Sequence, residues 1–280
     1  MSRSHYIFAL GALFCLAVFN GVNATTAGCG KTSSLTSGVK TTTINGKQRR
    51  WTLRIPDNYN TTRPYRFIFG LHWLSGDMTA VDGGNAPYYG LKALANNSAI
   101  FVAPDGLNKG WANSGGEDIT FLNTIRKEIE DNLCVDEKQR FSLGFSYGGA
   151  MSFSLACSNA KDFRAIAILS GATLSGCAGG NDPIAVYQQH GVKDSVLPID
   201  SGRQIRDRFI KNNGCQAKNA PEPARGSKQR ITTVYDGCKY PIQWTAFDGD
   251  HVAMPDAAGN DAGVNSWTPA EVWKFFTRFE

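Results

Sequence analysis

The sequence predicts an α/β fold, with a mostly parallel sheet covered by helices on both faces. Three observations carry this expectation. Strand-like and helix-like runs alternate from residue 65 to the end of the chain. A Gly-x-Ser-x-Gly stretch, Gly144-Phe145-Ser146-Tyr147-Gly148, sits where one of those strands gives way to a helix. The roughly 256 residues that follow an N-terminal apolar segment suffice for one domain with a substantial core, and neither a Ser/Thr/Pro-rich linker nor an internal repeat interrupts them.

Val39 to Ile44 and Gln48 to Ile55 read as strands joined at Asn45-Gly46, a strong hairpin signal. Tyr65 to Leu71 reads as a strand, Tyr88 to Asn96 as a helix, Ala99 to Ala103 as a strand and Thr120 to Asn132 as a helix. Arg140 to Leu143 runs as a strand into the serine motif, and Gly149 to Ala156 continues as a buried helix of small and apolar residues. Phe163 to Leu169 and Ile184 to Gln189 follow as strands, then Gly202 to Lys211 as a helix and Ile242 to Phe247 as a strand. Thr268-Pro269 is a capping signature for a last helix through Phe279, with Pro at its first position.

Residues 1–24 carry Arg3, an apolar run from Tyr6 to Phe19 and small residues in Val22-Asn23-Ala24, the pattern of a secretory leader. A single domain over residues 25–280 is expected to be secreted and monomeric, since no other segment approaches the roughly 20 apolar residues of a membrane span. Loss of the leader removes Cys15 and leaves an even set, Cys29, Cys134, Cys157, Cys177, Cys215 and Cys238, which suggests disulfides. Cys134 precedes the strand rising to Ser146 and Cys157 ends the helix descending from it, so these two are expected to pair. Cys215 with Cys238 and Cys29 with Cys177 then remain. Asn60 and Asn96 head sequons for N-glycosylation. Of the formal charge of +5, Arg3 is the one charged residue of the leader, so +4 remains, scattered along the chain as a nucleic-acid surface would not have it.

Ser146 needs a base, and only His72, His190 and His251 lie beyond the leader. His251 follows the last strand in Phe247-Asp248-Gly249-Asp250-His251, the place of the base in α/β-hydrolases, whose order is Ser, acid, His. His190-Gly191-Val192-Lys193-Asp194 with Pro198 is similar to their acid loop, which makes Asp194 the expected acid and His190 structural; Asp182, Asp200 and Asp248 are its rivals. His72, at the end of the strand Tyr65 to Leu71, opens a Gly-containing loop like the oxyanion loop of esterases. The expected donors are the amides of Tyr147 and of Trp73 or Leu74. His72 supports that loop or touches substrate, and Trp111 either walls an aromatic acyl pocket or simply packs. No H-E-x-x-H, paired C-x-x-C or G-x-G-x-x-G is present, so neither a metal nor a dinucleotide cofactor is expected.

Gly144 to Ser152, Gly70-Leu71-His72-Trp73, Pro104-Asp105-Gly106-Leu107-Asn108, Gly110-Trp111-Ala112-Asn113 and Phe247 to His251 together resemble fungal secreted feruloyl esterases, relatives of acetylxylan esterases and polyhydroxybutyrate depolymerases. The resemblance spans nearly all of residues 25–280. It implies an α/β-hydrolase that needs no cofactor and releases hydroxycinnamic acids from feruloylated cell-wall polysaccharide. Asp250 departs from the pattern, which has Pro or another neutral residue before the histidine. A carboxylate there would raise the pKa of His251 or compete with Asp194 for it. The other readings are an acetylxylan esterase or polyester depolymerase with the same triad, and an inactive scaffold that binds polysaccharide.

Overall fold

The computed structural model describes residue 1 and residues 25–279; the expected leader falls outside them. β1 (Gly38–Ile44) and β2 (Lys47–Arg54) form the hairpin through Asn45 and Gly46, both at positive φ. Then come β3 (Tyr65–Leu71), α1 (Met78–Asp82), α2 (Leu91–Ala95), β4 (Ala99–Pro104), α3 (Glu117–Asn132), β5 (Val135–Phe145), α4 (Tyr147–Asn159), β6 (Ala165–Leu169), β7 (Ala185–Gly191), α5 (Ile199–Asn212), β8 (Arg230–Val234), β9 (Ile242–Phe247) and α6 (Thr268–Thr277). The sheet order is β1-β2-β4-β3-β5-β6-β7-β9-β8, parallel from β4 to β9 with antiparallel strands at both edges.

Side-chain alternation in the central strands sorts the core into two layers. Phe67, Phe69, Ile166 and Ile168 face α3, α4 and α5, whereas Ile68, Ala165, Ala167 and Leu169 face α1, α2 and α6. With both faces covered, β4, β6 and β7 are buried along their entire length.

Four elements differ from the sequence expectation. The helix expected from Tyr88 shrinks to α2, because Tyr88 and Tyr89 take positive φ and turn their rings into the second core layer. α1 is one short helix whose Asp77 side chain caps the amides of Thr79 and Ala80, and β8 is an edge strand with alternating exposure; both are too short and polar to register as periodic runs. α6 begins at Thr268, one residue before Pro269.

The cysteine pairing is corrected as well. Cys215–Cys238 is as expected, but Cys134 pairs with Cys29, and Cys157 with Cys177. The reason is length. β5 has 11 residues and spans roughly 33 Å, while α4 climbs back only about 15 Å before Cys157. Cys134 instead meets residues 26–29, where Thr26 exchanges bonds with Val135 (3.1 and 2.9 Å) and Gly28 N–H donates to Glu130 O at 2.8 Å. Cys157 ends beside the loop after β6, whose Gly180 N–H donates to its carbonyl at 3.0 Å.

One buried ion pair joins β2 to α3. Arg49 and Asp118, each with a side chain 2% exposed, meet at 2.7 Å, and the guanidinium stacks over Phe121 at 4.1 Å. Asp118→Ala would strand a buried cation, so a stability loss of about 3–5 kcal/mol is expected in denaturant unfolding. A loss below about 1 kcal/mol would show that water reaches Arg49.

Candidate active site

Between β5 and α4 the chain turns on a single residue, Ser146. Ser146 sits at φ 55°, ψ −117°, a conformation few side-chain-bearing residues adopt. The glycines around it are required by contact: a Cβ on Gly144 would lie 2.3 Å from the carbonyl carbon of Gly148, and one on Gly148 would lie 2.1 Å from Leu71 O and 2.7 Å from His72 O. The N-terminus of α4 is thereby pressed against the end of β3. The Tyr147 amide is the first N–H of α4 and has no acceptor within the helix.

The acid and base expected from the sequence are brought together. His251 Nδ1–H donates to Asp194 Oδ2 at 2.7 Å across the loops after β9 and β7. Asp194 Oδ1 accepts the amides of Val196 (3.0 Å) and Leu197 (2.7 Å), and His190 Nε2 lies 3.3 Å from Oδ2. Burial alone would raise the Asp194 pKa, but hydrogen bonds from His190, from His251 and from the Leu197 amide outweigh it and hold the carboxyl well below the usual range. His251 Nε2 is shielded from solvent and has no hydrogen-bond partner among the described residues, and its ring packs on Phe145, the residue before Ser146, at 4.6 Å. The rivals stand elsewhere: Asp182 faces Lys161, Asp200 faces Arg203, and Asp248 faces Lys193. Asp250 binds no ring nitrogen; its carboxylate takes Ser195 and the His251 amide.

His72 and Trp111 do not line the cleft, contrary to the expectation that they touch substrate. Both are 0% exposed. His72 Nδ1–H donates to Trp73 O at 2.7 Å, its Nε2 accepts Gly106 N–H at 2.9 Å, and Trp111 Nε1–H donates to His72 O at 2.7 Å. Burial lowers the His72 pKa and keeps the ring neutral, as the Gly106 bond requires. The carbonyls of residues 72 and 73 are thus pinned from below. In a planar trans peptide the N–H points opposite to the C=O, so the amides of Trp73 and Leu74 are aimed the other way.

Tyr89 escaped the sequence reading. Its buried hydroxyl donates to Leu71 O at 2.7 Å and accepts Phe145 N–H at 3.3 Å, tying β3 to the elbow; burial raises its pKa, so the phenol stays protonated. No local pattern marks it, because both partners are distant in sequence. Beside His251 a cleft of about 510 Å³ opens between residues 80–86 and residues 251–263, and Trp73, Tyr89, Phe145 and Met254 supply most of its large apolar lining. That volume suits a small organic acyl group.

A parallel sheet with a strained serine after its fifth strand and an Asp-His pair on the loops after the seventh and ninth is the arrangement of the α/β-hydrolases. Comparison with known proteins agrees. A family profile described as phospholipase/carboxylesterase matches residues 116–233. Feruloyl esterase D of Neurospora crassa is 51% identical over 91% of each chain, and feruloyl esterase C of Emericella nidulans is 47% identical over 95% of this chain and 97% of its own. A solved ferulic acid esterase of Anaeromyces mucronatus, in complex with ferulic acid, superposes with a TM-score of 0.58 at 14% identity, covering 88% of this chain and 92% of its own. The chain belongs to the fungal feruloyl esterases and is a carboxylic ester hydrolase.

Because the folded pKa of Asp194 lies below its unfolded value, the ionised carboxyl contributes stability that is complete above about pH 4 and is lost as pH falls below it. Asp194→Asn is therefore expected to flatten the acid side of the stability curve. Melting temperatures of both proteins between pH 7 and pH 3 would show it, and parallel curves would contradict it.

Proposed function

We propose that this chain is a secreted esterase that hydrolyses hydroxycinnamoyl esters of plant cell-wall polysaccharides through Ser146, His251 and Asp194. The observation that carries the reading is the 2.7 Å Asp194–His251 bond, set beside the serine elbow and opening on an aromatic cleft. His251 takes the Ser146 proton as Oγ attacks the ester carbonyl, while Asp194 holds the imidazole tautomer and balances the imidazolium. The oxyanion is received by the amides of Tyr147 and of Trp73 or Leu74. His251 then protonates the departing sugar hydroxyl, and water activated by the same ring releases the acid and restores Ser146. The planar hydroxycinnamoyl group lies against Trp73, Phe145 and Tyr89, whose rings already neighbour one another at 6.4 and 6.5 Å. Secretion is supported by the leader-like residues 1–24 and the three disulfides, and glycosylation at Asn60 and Asn96 by the exposure of both side chains.

Ser146→Ala is expected to lower turnover of methyl ferulate by about 10⁶-fold with the fold intact. Methyl sinapate and p-nitrophenyl acetate, run in parallel, fix the acyl class. Cleavage of acetate alone would make the chain an acetyl esterase such as an acetylxylan esterase, and a protein that neither cleaves esters nor reacts with a fluorophosphonate would be a binding scaffold.

His72→Ala tests the buried support of the oxyanion loop. It is expected to reduce kcat roughly 10²-fold, the worth of one oxyanion donor, with little change in KM. A rise in KM at constant kcat would return His72 to substrate binding.

A further inference from the structure

The pairing of β7 with β9 runs out just short of the reacting groups. Within the sheet His190 faces Ala246 and Gly191 faces Phe247. Above it, Val192 N–H donates to Phe247 O at 2.9 Å and Lys193 N–H to Gly249 O at 3.0 Å. The loops touch there closely, since a Cβ on Gly191 would lie 2.4 Å from Gly249 O. Past Lys193 and Gly249 no backbone-to-backbone bond joins them among the described residues. Asp194 and His251 therefore stand on two loop tips that the sheet no longer holds in register.

Asp250 closes that gap. Its Oδ1 accepts Ser195 N–H at 2.7 Å, His251 N–H at 2.7 Å and the Ser195 hydroxyl at 2.9 Å, and its Oδ2 lies 3.1 Å from the same hydroxyl. One carboxylate so grips the residue that follows the acid and the backbone of the base. These are charge-assisted bonds, shorter and stronger than neutral ones. The Ser195 amide, with the other donors, depresses the Asp250 pKa, which keeps the carboxylate ionised for them. Apart from the Asp194–His251 bond itself, a further side-chain tie, Lys193 Nζ to Asp248 Oδ1 at 3.0 Å, lies nearer the sheet and comes from a 40% exposed side chain.

We propose that Asp250 is a positioning residue for the triad, a latch that sets the separation of Asp194 from His251; the proposal rests on the reading of those two as acid and base. It acts through geometry and not through its charge on the imidazole, since its oxygens bond Ser195 and the His251 amide while the ring Nδ1 is taken by Asp194. Asparagine keeps an oxygen at the Oδ1 position for both amides and can turn its NH₂ toward Ser195 Oγ. Glutamate keeps the charge but moves the acceptor by one methylene. Alanine removes both.

The test is the pH profile of kcat and of kcat/KM on methyl ferulate for the wild type and for Asp250→Ala, Asp250→Asn and Asp250→Glu. The expected result is a fall in kcat of about 30- to 100-fold for Asp250→Ala and Asp250→Glu with KM within about twofold, the cost of a small misplacement of reacting groups. Asp250→Asn is expected to stay within about fivefold of wild type with the midpoint of its acid limb unmoved. Wild-type kcat in Asp250→Ala would overturn the latch, and so would an active Asp250→Glu beside an impaired Asp250→Asn, which would make the charge the working part. Asp194→Ala, run alongside, separates this from the underlying reading. Activity that survives it removes the acid and the latch together, whereas Asp194-dependent activity indifferent to Asp250→Ala removes the latch alone.

Discussion

The backbone of Ser146 is held in a conformation that costs on the order of 1–3 kcal/mol for a residue with a side chain. Such strain persists only where its surroundings leave no alternative. Ser146 N–H is taken by Leu169 O of the neighbouring strand at 2.9 Å, and its carbonyl accepts Ala150 N–H at 2.9 Å to start α4. Gly148 lies against the end of β3, and Gly149 against Gly171 at the end of β6. Three strands and a helix converge on four residues, next to Phe145, which lines the cleft. Local contacts account for the elbow, and the parallel register accounts for everything that meets it there.

A second constraint runs beneath the first. From the Arg49–Asp118 pair, Asp118 Oδ2 accepts Asn113 N–H at 2.8 Å, and Asn113 Nδ2–H donates to Ser175 O at 3.0 Å. Ser175 Oγ–H donates to Trp111 O at 2.7 Å, and the Trp111 indole binds His72 O. The chain of polar groups that stabilises the packing of α3 is therefore the one that aims the amides of residues 73 and 74. Buried polar networks are rigid where their members are satisfied, which from Asp118 to His72 they are by the bonds above, while Arg49 joins through Nη2 alone. This explains why His72 and Trp111, which look from the sequence like residues of a binding surface, are needed inside.

What the sequence disclosed and what it hid divide along the same line. β3 and β9 begin and end where the apolar runs do, because strands buried on both faces write themselves as continuous hydrophobic segments. The serine motif discloses its own turn, since only glycine tolerates those contacts. That Asp194 and His251 would meet was legible from their order and from the glycines beside them. Hidden were features that depend on how far elements reach and which way they face: the partners of Cys29 and Cys157, the burial of His72 and Trp111, and the bridge made by Tyr89. Composition carries no measure of strand length against helix length, and a histidine reads alike in a cleft or in a core. Asp250 was visible as an anomaly, but its role needed the position of Ser195.

The two walls of the cleft differ in what they are fastened to. Residues 252–254 continue directly from His251, and Gln189 on β7 holds Ala253 O at 3.0 Å while its own oxygen takes the hydroxyls of Tyr187 and Thr268 at 3.0 Å each. Gly84, Asn85 and Ala86 belong to the link between α1 and α2, which bears none of Ser146, Asp194 and His251. Natural variation can therefore reshape the second wall at Asn85 and Ala86, though not at Gly83, where a Cβ would lie 2.8 Å from Thr79 O, nor at Gly84, which sits at φ 70°, while each change to the first is passed to His251. A lineage diversifying its choice of acid would be expected to drift at residues 85 and 86 and to stay quiet at 252–254.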